Sequence, residues 1–512
     1  MKSNRGNLQP AHKGYRYQDI ATAYVLVRSL VDGYNEVVVD RKQVEDDRID
    51  DLEVRTRSGR VRRQFKSSEN LHRCLAADDF ILSNSSLRID RLVLTHVRGS
   101  SGVDTEYRLC ATWGTPASDD SLIAMLEPVT APPTLLGSTP QLYRLRGELI
   151  WPNGKSPRWR ALLTYTHPDA EFGRPEFLAF CERFIIELAL PIASTDLNQP
   201  GPLECLLTNV LADEVGIGRY PNQGRVAADV AALAISLANL ARTQAASLTP
   251  AEVEHALEIR TDFGRVAQAF PLDESLFHDR PEFRRSLRER ALAGTRQLVI
   301  APPGAGKSWE LTRLADELRH AGAIVARHYC YLEPGDDLVE RRVTTDVFFG
   351  NLLSELLDDA PELIGAGGAR YAAGFQELEE ALEKGSAAGR SIVLIIDGLD
   401  HIARVRAEAN SLSDDDTDIV ERLATLNIPD GVAVVIGSQP GTHLDPLRAN
   451  WATMLVEQQL PVWRPADLAA LIARHGVAGA LAAIGITGSE EIAHIYSDST
   501  LAIFAAGRRP RT

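Results

Sequence analysis

The sequence has little cysteine and no long apolar run. Five of its 512 residues are cysteine and none forms a CxxC pair, so neither a disulfide framework nor a structural zinc site is expected. The longest apolar runs, such as SIVLII, are far too short to cross a bilayer. The opening residues, MKSNRGNLQP, lack the apolar core of a signal peptide. These absences predict a soluble, cytoplasmic protein with no membrane partner.

The sequence also lacks an internal repeat of solenoid length, and its pattern changes once along the chain. Up to about residue 262, strand and helix patterns are mixed. Beyond it, apolar strands alternate with helices, which is typical of a parallel sheet covered on both faces. Three regions are therefore predicted, over residues 1–262, 263–460 and 461–512, and the last is a short helical tail.

The first region contains short, well-marked elements. In chain order they are a helix over 16–31, a strand near 36–40, two strands joined by a turn at Ser58 and Gly59, a strand near 88–97, an irregular stretch over 114–160 and helices over 175–260. Within the last of these, Thr249 is expected to cap a helix whose first residue is Pro250. Residues 261–290 read as a connector to the next region.

The charge of the chain is acidic overall but basic in one place. The net charge is −15, and a uniform distribution of that charge would repel nucleic acid. Whether the chain can bind nucleic acid therefore depends on where its basic residues are concentrated. Residues 55–66, RTRSGRVRRQFK, contain six basic residues and no acidic one. A solvated strand face explains such a run, and so does a surface that contacts phosphates. The sequence leaves both open.

A glycine-rich loop opens the second region. The segment LVIAPPGAGKSWEL reads as strand, loop and helix, and it fits GxxxxGK[ST] except that alanine replaces the first glycine. Around Ala305, the flanking Gly304 and Gly306 let backbone N–H groups wrap phosphates without a Cβ clash. Lys307 is expected to neutralise the β- and γ-phosphates, and Ser308 is expected to bind Mg²⁺.

The next apolar strands end in polar residues that suit the same ligand. SIVLIIDGLDH places Asp397 at a strand end, where its carboxylate would lie beside the magnesium ion. Asp400 either polarises the attacking water or caps the following helix, and His401 is expected to be a surface or packing histidine. Ser438 and Gln439 end a further strand, either as γ-phosphate sensors or as an ordinary polar strand end. The expected cofactors are ATP and Mg²⁺.

Four segments in sequence order carry a resemblance. LVIAPPGAGKS, RHYCYLEPGDD, IVLIIDGLDHI and VVIGSQPG resemble the NTPase core of the STAND class, above all its bacterial antiviral members, over residues 285–460. This implies an ATP-dependent switch that forms a homo-oligomer on sensing a trigger, such as a phage-derived one, and releases an N-terminal effector. Members usually carry a long C-terminal helical-repeat sensor. Here the sequence stops soon after the ATPase core, so the tail is either native or truncated.

The first region contains a candidate nuclease motif. Asp50 and Asp51 stand at one predicted strand, and Gln64 and Lys66 stand on the next, which fits the D…(D/E/Q)xK pattern of restriction-type nucleases. Asp51 and Gln64 would bind one Mg²⁺, and Lys66 would orient the nucleophile. Residues 64 and 66 point to the same side of a strand, so both can face one site. The alternative is an amphipathic surface hairpin, because an amide oxygen binds metal more weakly than a carboxylate.

The wider context adds a second resemblance. GYRYQDIATAYVLVRSL, VEDDRIDDLEV and RRQFKSS resemble the PD-(D/E)xK double-stranded DNA endonuclease domain of bacterial antiphage effectors of the CBASS type. The resemblance implies that Asp51 binds metal, that Asp50 shares or replaces it in this role, and that Lys66 is catalytic. It also implies that Gln18, on the first helix, completes the site. Glu45 is a further acidic candidate, or a solvated turn residue.

Together these patterns predict an α/β protein: a restriction-endonuclease-like α/β domain, a parallel-sheet P-loop NTPase domain and a short helical tail. The expected function is an antiphage effector in which ATP binding controls magnesium-dependent cleavage of double-stranded DNA. One alternative is an ATP-regulated DNA- or partner-binding protein whose nuclease-like domain is catalytically weak. Another is a restriction motor, although no helicase motif set follows Asp397. The trigger, the cut site and ATP hydrolysis stay open.

Overall fold

The computed structural model describes most of the chain. The described residues are 9–44, 46–68, 70–99, 104–132, 134–135, 141–151, 159, 172–194, 196, 199–270, 279–333, 335–364, 369–409, 411–462 and 473. The chain divides into two compact units, the first made of Met1–Gly218 and Gln223–Ile259, the second of Arg219–Asn222 and Arg260–Thr512. Glu45 and, apart from residues 461, 462 and 473, the predicted helical tail lie outside the described residues.

The first unit is built on a mixed eight-stranded sheet with the strand order β5-β6-β7-β4-β3-β2-β1-β8. Its strands are β1 (Glu36–Val39), β2 (Leu52–Arg55), β3 (Arg60–Lys66), β4 (Thr105–Ala111), β5 (Leu126–Pro128), β6 (Gln141–Leu145), β7 (Phe184–Leu188) and β8 (Ser247–Leu248). β1, β2 and β3 form an antiparallel meander, as the turn at Ser58 and Gly59 predicts. β4 runs parallel to both β3 and β7, and each parallel pair requires a crossover connection.

Helices supply those crossovers and cover the sheet. They are α1 (Gln9–Asp32), α2 (Ala77–Ile81), α3 (Ile89–Gly99), α4 (Gly147–Ile150), α5 (Arg174–Arg183), α6 (Pro202–Asn209), α7 (Ala227–Gln244) and α8 (Pro250–Ala256), and a π-helical stretch, Val210–Val215, follows α6. α2 and α3 connect β3 to β4. The N-terminus of α8 is capped as predicted, since the Thr249 hydroxyl accepts a hydrogen bond from the backbone N–H of Glu252.

The predicted strand near 88–97 is wrong, because this segment is the helix α3. Its apolar residues Ile89, Leu92 and Val93 are spaced at i, i+3 and i+4, and all three are buried. Asp90 in the first turn and basic residues in the last turn also favour a helix through its dipole. The stretch over 114–160 is less irregular than expected, because it contains β5, β6 and α4, and β7 interrupts the predicted helices over 175–260.

The second unit is built on a parallel five-stranded sheet with the order β10-β11-β12-β9-β13. Its strands are β9 (Arg296–Ile300), β10 (Ile324–Tyr329), β11 (Ile392–Asp397), β12 (Val432–Ser438) and β13 (Leu455–Gln459). All four pairings are parallel. The four apolar strands match the prediction. The polar edge strand β13 was not expected, because LVEQQ carries little apolar signal.

Helices cover both faces of this sheet. They are α9 (Pro281–Leu292), α10 (Lys307–His320), α11 (Val339–Arg342), α12 (Thr345–Asp359), α13 (Phe375–Ala387), α14 (His401–Glu408), α15 (Ile419–Thr425) and α16 (Asp445–Asn450). Ile392, Leu394 and Ile396 of β11 face the core under α12 and α13, whereas Val393 and Ile395 face the core under α9 and α10. Because both faces are buried, the strand reads as one continuous apolar run.

Both units combine helices with a sheet, which confirms the predicted α/β class. Over the described part of the chain, no helix is both long enough and apolar enough to span a membrane. The carboxyl ends of the parallel strands in the second unit lie at one edge of the sheet. The loop before α10 and the ends of β11 and β12 are therefore brought together there.

Candidate functional site

The glycine-rich loop connects the end of β9 to the start of α10. Gly304 and Gly306 have φ angles of +73° and +94°, in the left-handed region that glycine adopts without strain. The Lys307 ammonium is largely buried and donates hydrogen bonds to the carbonyl oxygens of Ala301, at 2.8 Å, and Pro302, at 3.1 Å. Burial lowers the pKa of Lys307, and the nearby carboxylates of Asp397 and Asp400 oppose that decrease.

Ser308 and Asp397 meet at this edge of the sheet. The Ser308 hydroxyl donates a hydrogen bond to Oδ2 of Asp397, whose residue is only 3% exposed. The other oxygen, Oδ1, is buried and has no hydrogen-bond partner among the described residues. Burial raises the pKa of Asp397 to about 6, against the effects of the Ser308 hydrogen bond and the Lys307 charge. A hydroxyl and a partly unsatisfied carboxylate are ligands that suit a magnesium ion.

A glycine makes the contact between Ser308 and Asp397 sterically possible. The strand that bears Asp397, β11, does not neighbour the strand before the loop, β9, because β12 lies between them. On β12, Gly437 lies opposite Asp397 on one side and Val299 on the other. A Cβ atom at Gly437 would overlap Oδ1 of Asp397 and lie 2.6 Å from Cδ1 of Leu311. A single glycine inside an apolar strand was the available sequence signal, and it was missed.

Asp400 connects the end of β11 to the end of β12. Its Oδ1 accepts hydrogen bonds from the Ser438 hydroxyl, at 3.2 Å, and the Gln439 backbone N–H, at 3.1 Å. Its Oδ2 accepts one from the Gln439 side-chain amide at 2.6 Å. Asp400 occupies the N-cap position of α14, but its side chain makes no hydrogen bond to that helix, so the carboxylate does not cap it. Ser438 Oγ also lies 2.9 Å from Nε2 of His443.

His401 packs beside this network. Its ring stacks on that of Tyr331, with centroids 4.5 Å apart and an interplanar angle of 13°. Its Nε2 lies 3.6 Å from Oδ2 of Asp400. Burial lowers the pKa of His401, an effect that Asp400 opposes and Arg404 reinforces. These contacts are those of a packing histidine.

The first unit brings together two of the predicted nuclease residues, Asp51 and Gln64. In the β2–β3 register Leu52 lies opposite Arg63, so Asp51 lies opposite Gln64. The Gln64 side-chain amide donates a hydrogen bond to Oδ2 of Asp51 at 2.6 Å, and the Phe65 backbone N–H donates a second at 2.7 Å. Asp51 and Gln64 are both buried. The antiparallel hairpin itself therefore produces the pair.

Electrostatics add Lys66 and two further carboxylates to this site. Burial raises the pKa of Asp51 to about 7, and the Lys66 ammonium is near enough to oppose the increase. Asp50 and Asp40 raise the pKa of Asp51 further. Burial also raises the pKa of Asp50, and the nearby Asp47 carboxylate raises it further. Asp50 therefore lies close to a second acidic residue as well as to Asp51.

Asp40 was not predicted as part of this site. It follows β1 with a φ angle of +48°, a conformation that aspartate tolerates better than most residues, and its backbone N–H donates to the Asp51 carbonyl at 3.0 Å. The strand-end aspartate in EVVVD was the available signal. Gln18 is buried on α1, but its amide nitrogen has no hydrogen-bond partner in the described part of the chain, so no hydrogen bond joins it to Asp51 through that atom.

The donor set at this site is small. No group of three or more His, Cys, Asp or Glu side chains that could bind a metal occurs among the residues that the structure describes. Of the predicted ligands, Asp51 and the amide oxygen of Gln64 are the groups here that could bind a cation directly. Mg²⁺ commonly keeps several waters and uses one or two protein carboxylates together with substrate phosphates, so this pair fits such an ion. The desolvated Asp51 carboxylate favours any nearby cation.

The centre of the basic run over 55–66 is buried. Arg62 is 1% exposed and forms an ion pair with Asp47 at 2.6 Å. Arg63 is also buried, on the opposite side of the strand. Arg55 is paired with Glu36 and Glu53. Arg62 and Arg63 are therefore internal, so both readings of the run as a solvent-facing surface are wrong for these two residues, whereas Arg57 is exposed.

No protein-family model and no curated protein matches the chain. Among solved structures, the ADP form of the Aeropyrum pernix ORC2 protein is 13% identical and covers 42% of this chain, with a TM-score of 0.26. The ADPNP–ADP complexes of the same protein are 14% identical and cover 43% of this chain, with a TM-score of 0.26. The chain spans 56% of the length of either structure, and similarity at this level carries no functional argument. The strand order, loop and paired Ser308 and Asp397 themselves give the second unit the fold of a P-loop NTPase.

Proposed function

We propose that the second unit binds ATP together with Mg²⁺. The observation that carries this proposal is the contact of Ser308 with Asp397, whose buried Oδ1 has no hydrogen-bond partner among the described residues. Leaving a buried carboxylate oxygen unpaired costs about 1–3 kcal/mol or more, so such an atom calls for an explanation. A magnesium ion held by Ser308 and Asp397 explains it, and when bound it would neutralise charge on the β- and γ-phosphates.

The loop provides the remaining contacts to the phosphates. Backbone N–H groups around Gly304 and Gly306 and the N-terminus of α10 attract an anion to the loop. Lys307 would exchange its contacts with the Ala301 and Pro302 carbonyls for contacts with phosphate oxygens. Asp400 holds Ser438 and Gln439 at the neighbouring strand end, where they would sense a γ-phosphate. Loss of ATP turnover with retained ATP binding in Asp400→Ala would identify Asp400 as the residue that orients water.

For the first unit we propose magnesium-dependent cleavage of double-stranded DNA. The hydrogen-bonded pair of Asp51 and Gln64 would bind the ion, and Lys66 lies close enough to influence the Asp51 carboxylate. Asp50 and Asp40 would strengthen the attraction for the cation. Lys66 would then stabilise negative charge at the scissile phosphate or orient the attacking water. The element order of α1, the β1–β3 meander and the parallel strand β4 is compatible with the resemblance to restriction-type nucleases.

One observation favours a second candidate, a protein that binds DNA under nucleotide control without cutting it. The Gln64 side-chain amide and the Phe65 backbone N–H both donate to Oδ2 of Asp51, so this carboxylate oxygen is already hydrogen-bonded without a cation. No third acidic ligand completes a metal cluster among the described residues. A site with these ligands would bind Mg²⁺ more weakly than one with two carboxylates.

On the sequence resemblance of the two regions, we propose that the chain is an antiphage effector of the STAND type. ATP binding would drive the assembly of a homo-oligomer, in response to a trigger such as a phage component, and assembly would bring nuclease sites together on one duplex. Such control would keep the nuclease inactive on the host chromosome before assembly.

The nuclease proposal is tested on the full chain with linear duplex DNA, Mg²⁺ and ATP. We expect cleavage by the unmodified protein, loss of cleavage in Lys66→Ala and retention in Arg57→Ala, a control that removes an exposed basic residue of the same run. DNA retention in a gel-shift assay without cleavage under any condition would instead support the binding protein. Equal cleavage by the unmodified protein and by Lys66→Ala would exclude the proposed site.

A further inference from the structure

A fully buried carboxylate lies behind the phosphate-binding loop. Glu310 is in the first turn of α10, three residues after Lys307, and it is 0% exposed. A negative charge in the first turn of a helix is stabilised by the helix dipole. A phosphate group at the same helix end uses the same positive field, so an uncompensated Glu310 would oppose the binding of a polyphosphate.

Two arginines compensate Glu310. Arg284 of α9 donates from Nη1 to Oε2 of Glu310 at 2.8 Å. Arg280, immediately before α9, places Nη1 3.5 Å from Oε1 of the same carboxylate. Both arginine side chains are nearly buried, at 9% exposure for Arg280 and 8% for Arg284. Buried charges of this kind are stable only when they are paired.

Arg284 alone does not balance Glu310, because its charge is shared. Its Nε contacts Glu317 at 2.6 Å and its Nη2 contacts Asp279 at 2.5 Å. Arg288 contributes a longer contact of 3.4 Å to Glu317. One guanidinium therefore faces three carboxylates, and Arg280 supplies the second positive charge at Glu310.

Arg280 also contacts the loop itself. Its Nη2 donates a hydrogen bond to the carbonyl oxygen of Ala305 at 3.0 Å. Ala305 lies between Gly304 and Gly306, the two residues with left-handed φ angles. Arg280 thus connects the loop that would hold the phosphates to the acidic residue behind it.

We propose that Arg280 is a positioning residue for polyphosphate binding: it cancels the charge of Glu310, which would otherwise repel the phosphates, and it holds the loop through Ala305. The inference rests on the proposed binding of ATP by this loop. Arg280 would then be a residue outside the GxxxxGK[ST] segment that is needed for anion affinity. It would act by contacting the Glu310 carboxylate and not the ligand. A unit charge acting across about 10 Å at an effective dielectric constant of about 20 changes affinity on the order of tenfold.

The test is a double-mutant cycle on the full chain, with the affinity for ATP and Mg²⁺ measured by isothermal titration calorimetry. The variants are Arg280→Gln, Glu310→Gln and the two combined, with Arg285→Gln as the control because Arg285 is an exposed residue of α9. We expect Arg280→Gln to weaken ATP binding about tenfold and the control to leave it unchanged. Adding Glu310→Gln to Arg280→Gln removes the uncompensated negative charge, so the double variant should bind ATP within about threefold of the unmodified protein.

Charge compensation and a purely structural role give different results in this cycle. If Arg280 only fixes the loop through Ala305 and Glu310 does not repel the phosphates, adding Glu310→Gln recovers none of the lost affinity, and the proposal is overturned. Arg280→Lys keeps the charge, so it should retain affinity within about threefold even if Arg280→Gln folds poorly. Unchanged affinity in Arg280→Gln would refute this inference alone. Absence of ATP binding to the unmodified protein would refute the proposed function as well.

Discussion

Replacing Gly437 by alanine should separate magnesium–nucleotide binding from the overall stability of the second unit. The added Cβ would overlap Oδ1 of Asp397 and lie 2.6 Å from Cδ1 of Leu311. Both neighbours are fixed, since Asp397 is fully enclosed at the end of β11 and Leu311 packs under the sheet on α10. Because the strand has no room for the methyl group, the Asp397 carboxylate must shift from the position in which it accepts the Ser308 hydrogen bond.

The magnitude follows from two effects. Overpacking a buried site by one methyl group costs about 1–3 kcal/mol of folding free energy. Loss of a hydrogen bond to a charged group, here from Ser308 to Asp397, removes about 1.5–3 kcal/mol of interaction at the metal site. We therefore expect Gly437→Ala to weaken ATP binding in Mg²⁺ by about ten- to a hundredfold. Binding in EDTA should change much less, since the loop and Lys307 are left in place.

The assay is calorimetric titration with ATP in Mg²⁺ and in EDTA, accompanied by thermal unfolding. Gly385→Ala is the matched control, because its Cβ would overlap Cδ1 of Ile392 within the same unit but has no contact with the phosphate loop. It should lower the unfolding temperature and leave the nucleotide affinity unchanged. If Gly437→Ala bound ATP and Mg²⁺ as tightly as the unmodified protein, the steric reasoning about Gly437, Asp397 and Ser308 would be refuted.

Two further predictions concern the first unit. Asp51 in the folded protein has a pKa of about 7, above its unfolded value, so folding stability is highest in acid and falls as pH rises from about 4 to about 7. In urea unfolding with EDTA, the free energy of unfolding of Asp51→Asn should therefore rise by about 2 kcal/mol relative to that of the unmodified protein between about pH 5 and about pH 8. A difference between the two proteins that does not change with pH would contradict the raised pKa of Asp51. Asp47→Asn should destabilise the unit by about 3–5 kcal/mol, because it leaves the buried Arg62 charge without its close partner. Nucleotide affinity measured on the same sample should be unchanged.

The sequence predicts those parts of the fold that depend on local pattern. β9 to β12 are uninterrupted apolar runs because both faces of their sheet are buried, so they are visible without knowledge of the topology. Asp51 and Gln64 are predictable neighbours because a tight turn at Ser58 and Gly59 fixes the register of the hairpin. The segment over 88–97 was predicted as a strand, but its buried apolar residues follow the i, i+3, i+4 spacing of the helix α3.

Features that depend on tertiary neighbours could not be predicted in this way. The role of Gly437 requires the strand order, which places β12 between the loop and Asp397. The burial of Arg62 depends on Asp47, and the compensation of Glu310 depends on Arg280, thirty residues earlier in the chain. β13 is a polar strand that pairs only because the edge of β9 is available to it.

The central claim, that a nucleotide bound at the loop controls a metal-dependent nuclease, is tested most directly by measuring cleavage of linear duplex DNA against ATP concentration in Mg²⁺, with light scattering on the same samples. The account predicts that cleavage and an increase in molecular mass appear together as ATP is added, that Lys307→Ala shows neither, and that Lys66→Ala assembles without cutting. Cleavage of equal rate with and without ATP, or unchanged by Lys307→Ala, would contradict it.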